Sequence, residues 1–139
     1  MPLQLIAPIE KDFILEKTDT EFKTEGEPTK ILVRQATQGQ HERRNVLINT
    51  FNRQYDGVSV VVSQNFSPED LYRLEVELTL ADCNIVGEDE QPLFVFKNKV
   101  VNSSSFMRGW AKLPPTVARE IHDKVIEVNP LWNNPLAES

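Results

Sequence analysis

The chain has 139 residues, a formal net charge of −6 and 40% hydrophobic residues. That length favours one domain with a genuine core, and the acidic balance argues against general affinity for DNA, RNA or an anionic membrane surface. One cysteine, Cys83, excludes an intrachain disulfide and any cysteine-rich zinc site. No apolar run approaches the roughly 20 residues needed to cross a bilayer, and the start of the chain lacks the basic, long apolar pattern of a signal peptide, so a cytoplasmic protein is expected.

Residues 1–11 read as an extended arm, because Pro2 and Pro8 discourage a helix. A single α+β domain is expected over 12–132 and a frayed tail over 133–139. Residues 12–16 read as a short strand and 17–29, punctuated by Gly26 and Pro28, as a polar loop. A second strand over 30–34 is expected to run antiparallel to the first. Thr37 is placed to cap a helix over about 38–53, with Val46, Leu47, Ile48 and Phe51 as its apolar stripe. Residues 58–63 have strong β propensity. A short helical turn is expected after Ser67-Pro68, and residues 74–80, Leu-Glu-Val-Glu-Leu-Thr-Leu, alternate strictly and predict a half-buried strand pairing with 58–63. On that reading Glu75 and Glu77 share the hydrated face. Residues 93–96 form a brief apolar run, either strand or core filler. Ser103, Ser104 and Ser105 offer caps for a helix over 106–113; Pro114 and Pro115 stop it and start the next, from Thr116 to about Val128. The architecture expected is α+β: a small antiparallel sheet with one inserted helix and a C-terminal helical pair.

Charge is uneven. Lys30, Arg34, Arg43, Arg44 and Arg53 make one basic region, and Glu69, Asp70, Glu75, Glu77, Asp82, Glu88, Asp89 and Glu90 an acidic one. Solvated faces of one domain account for this; head-to-tail self-association of complementary poles is the sharper reading.

Catalytic, cofactor and metal sites are not expected. Asp82–Gly87 begins like a calcium loop, but the position that needs a bidentate carboxylate is Leu93. His41 and His122 have no second histidine at metal-ligand spacing and read as exposed or locally bonded. Cys83 lacks a local base and reads as a small buried thiol. The five glycines are scattered, so no phosphate loop exists.

The strongest constellation is C-terminal. Val117, Ile121, Val125 and Val128 form one helical stripe, with Trp110 before it and Trp132 after it. The stripe either closes the domain's own core or is displayed to a hydrophobic partner. Arg34-Gln35-Ala36-Thr37 before a charged helix, then Trp110 to Pro115, then a helix ending in Asn129-Pro130-Leu131-Trp132, resembles the small tail assembly chaperones of long-tailed bacteriophages, over about residues 30–132. The resemblance implies a non-enzymatic role in the host cytoplasm. Such a protein binds the long helical tape measure protein and recruits tail tube subunits. On amphipathicity, Phe106, Trp110, Val117, Ile121, Val125 and Trp132 are the residues expected to form the partner-binding surface. A structural virion component, such as a head-tail connector or tail completion protein, is the alternative.

Overall fold

A computed structural model describes residues 2–5, 9–53 and 67–133. Residues 10–34 form a strand, a short helix and a second strand. Strands β1 (Glu10–Ile14) and β2 (Lys30–Arg34) pair antiparallel, with Asp12 opposite Leu32. The expected polar loop between them contains helix α1 (Glu16–Phe22). Nothing nearby announces α1, because no side chain of its own caps it. Its cap comes instead from Glu120, whose carboxylate accepts the backbone N–H groups of Lys17 at 3.1 Å and Thr18 at 2.8 Å, and the Thr18 hydroxyl at 2.8 Å. A carboxylate at a helix N-terminus satisfies free N–H groups and opposes the helix dipole favourably. Asp19 ties the far end down by accepting from Thr29 and Thr24 hydroxyls, and these bonds hold its carboxyl below the usual aspartate range.

Helix α2 (Gln38–Arg53) follows β2 and starts at a capping box. Thr37 Oγ1 accepts from Gln40 N, and Gln40 Oε1 accepts from Thr37 N. The predicted strand over 58–63 lies outside the described residues. Its supposed partner is corrected: residues 68–79 form helix α3 (Pro68–Thr79), and only β3 (Leu80–Cys83) is a strand, antiparallel to β2. Ser67 caps α3, Pro68 occupies its first turn, and Glu69 and Asp70 favour its N-terminus. The alternation over 74–80 misleads because Glu75 is itself an inward position. With Leu71, Glu75 and Leu78 all buried, the period is that of a helix.

Two-residue strands β4 (Phe96–Lys97) and β5 (Val100–Val101) form a hairpin. Its turn residues, Asn98 and Lys99, both have positive φ, as the favoured two-residue hairpin turn requires. Of the apolar run 93–96, Phe94 fills the core and Phe96 enters β4. The C-terminal helical pair stands: α4 (Ser103–Lys112), capped by Asn102, and α5 (Pro115–Val128), followed by a 3-10 turn at Pro130–Trp132. The class is therefore α+β, with a three-stranded antiparallel sheet in the order β1-β2-β3. The expected single inserted helix is three among the described residues. Glu10 and Lys11, assigned to the arm from sequence, belong to β1.

Helix α5 is the hub of the core. It packs on β2, α1 and α3, and one apolar cluster runs from Phe13 and Leu15 through Ile31, Val33, Val76 and Phe106 to Ile121, Val125 and Trp132. Helix α4 approaches the 93–94 backbone at Gly109, where an added Cβ would lie 2.9 Å from the Leu93 carbonyl oxygen and 2.9 Å from Phe94 Cε1. Gly109→Ala is therefore expected to lower stability by about 1–3 kcal/mol in urea unfolding, although alanine is the better helix former. A stabilised variant would contradict this packing.

Candidate functional site

The residues with acid–base chemistry gather inside the domain. Glu75 on α3 is fully buried. One carboxylate oxygen accepts from Arg44 Nε on α2 at 2.6 Å, and the other meets His122 Nε2 on α5 at 2.5 Å. Tyr72, one turn earlier on α3, packs on the His122 ring with centroids 4.2 Å apart. Arg44 is 3% exposed; its Nη1 donates to Asn45 Oδ1, and its guanidinium lies 5.2 Å from the Trp132 ring centre. Trp132 Nε1 donates to His41 Nδ1 at 2.9 Å. An indole N–H is a donor only, so His41 accepts there through its Nδ1 lone pair. The result is one polar chain, His122–Glu75–Arg44–Trp132–His41, spanning α2, α3, α5 and the final turn.

Three sequence expectations are corrected by this cluster. Glu75 is not hydrated and does not share a face with Glu77, which accepts from Ser103 Oγ at the other side of α3. A buried ionised carboxylate is tolerable only when its lone pairs are met by charged or polar donors, which Arg44 and His122 supply. Arg44 and Glu75 also belonged to the supposed basic and acidic poles, and they meet each other internally. His122 is bonded to a partner 47 residues away rather than locally, whereas His41 has the expected local contact, with Asn45 at 3.3 Å, as well as the bond from Trp132, 91 residues away. Among the described residues, Arg44 Nη2 is the one buried side-chain nitrogen or oxygen without a partner. No residue of this cluster lines either of the two surface depressions described below. With a partner on each carboxylate oxygen, Glu75 clamps α2, α3 and α5 to one another.

The six residues expected to face a partner are placed as follows. Phe106, Val117, Ile121, Val125 and Trp132 are all in the interior, and that is a correction. Their stripe closes on β2, α1 and α3, so these five offer no surface to another molecule. Trp110 alone is half-buried, its ring stacked on Phe106 with centroids 5.4 Å apart. Two further polar residues missed from sequence complete the burial of α5. One is Glu120, the cap of α1. The other is Asn129, which accepts from Ala36 N and donates to Arg34 O, joining the end of α5 to the end of β2.

Apolar surface lies elsewhere. Leu3 and Leu5 are each 88% exposed and Ile9 65%, on a segment with no charged side chain before Glu10. A groove of about 860 Å³ lies between the 85–95 loop and α4, with Ile85, Leu93, Val95 and Leu113 in its floor. A second, shallower depression of about 630 Å³ borders β1 at Asp12, Phe13 and Ile14. Among the described residues no three His, Cys, Asp or Glu side chains are grouped to hold a metal ion, and no helix is long and apolar enough to cross a membrane.

Comparisons with protein-family models, with curated proteins and with solved structures find no match to this chain.

Two measurements check the site. Glu75→Ala leaves Arg44 buried without its counter-charge and is expected to cost about 3–5 kcal/mol in urea unfolding. Glu77→Ala, which loses only the bond from an exposed serine, is expected to cost about 1 kcal/mol or less. Equal losses would contradict the assignment. Burial pushes the Cys83 thiol up to about 12. Iodoacetamide at pH 8 is thus expected to modify the native chain far more slowly than the urea-unfolded one, since the thiolate is the nucleophile; equal rates would contradict the burial.

Proposed function

We propose that this chain is a non-catalytic, protein-binding assembly factor of the tail assembly chaperone type, acting in a host cytoplasm. The observation that carries the reading is the arm. Leu3, Leu5 and Ile9 stand outside a domain whose core is already closed. Burying each such side chain is worth roughly 1.5–3 kcal/mol, a gain left for another molecule to supply. The partners on both Glu75 oxygens and the raised pKa of the Cys83 thiol support a non-catalytic reading. The resemblance over Trp110–Pro115 and Asn129–Trp132 gives the reading its specific form.

The client surface is consequently moved from the C-terminal helices to the arm. The arm covers apolar helix faces of a tape measure protein, and tail tube subunits displace it as the tube grows. The C-terminal helices act indirectly by holding the sheet from which the arm projects. Permanent incorporation into a particle is the second reading, favoured by a groove face that carries both charge signs.

The test is co-expression with a long helical client followed by affinity capture. Leu3→Asp combined with Leu5→Asp is expected to reduce client recovery at least about tenfold, the equivalent of 1.4 kcal/mol, with unfolding unchanged because neither residue packs on the core. Undiminished capture by that variant defeats the proposal. Detection of the chain in purified particles by mass spectrometry replaces the chaperone with the structural component.

A further inference from the structure

The groove beside α4 has lips of opposite sign. Glu88 and Asp89 line one lip, with Glu90 beside them on the same loop. Arg108 and Lys112, four residues apart and so on one face of α4, form the other. All five are exposed, and none makes an ion pair with a described residue. Between the lips the floor is apolar: Val86 and Val95 are more than half exposed, beside Ile85, Leu93 and Leu113.

Both lips are held at fixed spacing. The acidic one sits on a tight loop in which Gly87 N donates to Gln91 O at 2.8 Å, Glu90 N donates to Gly87 O at 3.0 Å, and Val86 bridges to Pro92. The basic one rides on α4, which Gly109 seats against the 93–94 backbone. Surfaces fixed before docking lose little entropy on association.

A face with an acidic lip, an apolar middle and a basic lip is complementary to itself. Rotation by a half-turn about an axis through the floor lays each copy's acidic lip on the other's basic lip, and floor on floor. A face of one sign would repel its own copy. Two-fold contacts of this kind close after two subunits, whereas joining opposite poles head to tail would continue into a filament. We propose that a second copy of this chain docks on the groove face, through Glu88–Glu90 against Arg108 and Lys112, to make a closed two-fold dimer. This inference stands independently of the chaperone reading and uses no residue of the arm.

Charge exchange tests it. Sedimentation velocity is run over a concentration series on the wild-type chain, on Arg108→Glu/Lys112→Glu, and on Glu88→Lys/Glu90→Lys. The second variant spares Asp89, which accepts from Gln91 N. Wild type is expected to shift from monomer to dimer and no further. Each variant alone carries two lips of like sign and is expected to dimerise at least about tenfold more weakly. An equimolar mixture of the two restores opposite lips across both contacts and is expected to recover the dimer. Thermal melts should be unchanged, because the substituted side chains are exposed.

The proposal is overturned if wild type stays monomeric, if the variants associate as well as wild type, if mixing them restores nothing, or if species larger than the dimer accumulate. A monomeric wild type whose Val95→Asp variant loses client capture would also overturn it, and would assign the groove to the client.

Discussion

Burial of α5 is the constraint on which the rest of this structure depends. Its stripe of Val117, Ile121 and Val125 lies in the one core cluster, where each side chain gains the full benefit of leaving water. A helix sunk this far also takes polar neighbours inside. Glu120, His122 and Asn129 are each met by a partner from another element: α1, α3 and the end of β2, respectively. The helix is thus fixed in rotation as well as depth. An apolar stripe alone would tolerate some sliding, whereas hydrogen bonds at three points, two of them through the carboxylates of Glu120 and Glu75, specify one seating.

This seating decides where function can lie. The apolar stripe of α5 and Trp132 are taken up by the core. The buried carboxylate of Glu75, held by Arg44 and His122, is spent on joining three helices. Among the described residues, exposed apolar surface includes the arm with its two leucines and the two-signed groove beside α4. They lie on different elements, so one domain has room for a client and for a second copy of itself.

Local signals made about half of this architecture legible. Strand β2 is bounded as its Ile-Leu-Val run after Pro28 indicates, Thr37 and Gln40 announce α2, and the diproline at 114–115 separates α4 from α5. What stayed hidden depended on partners far along the chain. Helix α1 is unreadable from its own residues because its cap is Glu120, more than 100 positions away. The second half of α3 reads as a strand when Glu75 is placed in solvent, and only Arg44 and His122 make it an inward position. Ser67-Pro68 announces a helical turn, and the helix it opens runs on through the alternation to Thr79. For the C-terminal stripe, periodicity showed that it must be buried but not against what; only the assembled sheet answers that.

Hydrogen–deuterium exchange, resolved by peptide, tests the central claim most directly when run on the free chain and on the chain with a captured client. The account predicts that amides of 117–128 are among the slowest to exchange in the free protein and do not change on client binding, while amides of 3–5 become protected. Fast exchange across 117–128 in the free chain, with protection appearing there only when the client binds, would contradict it.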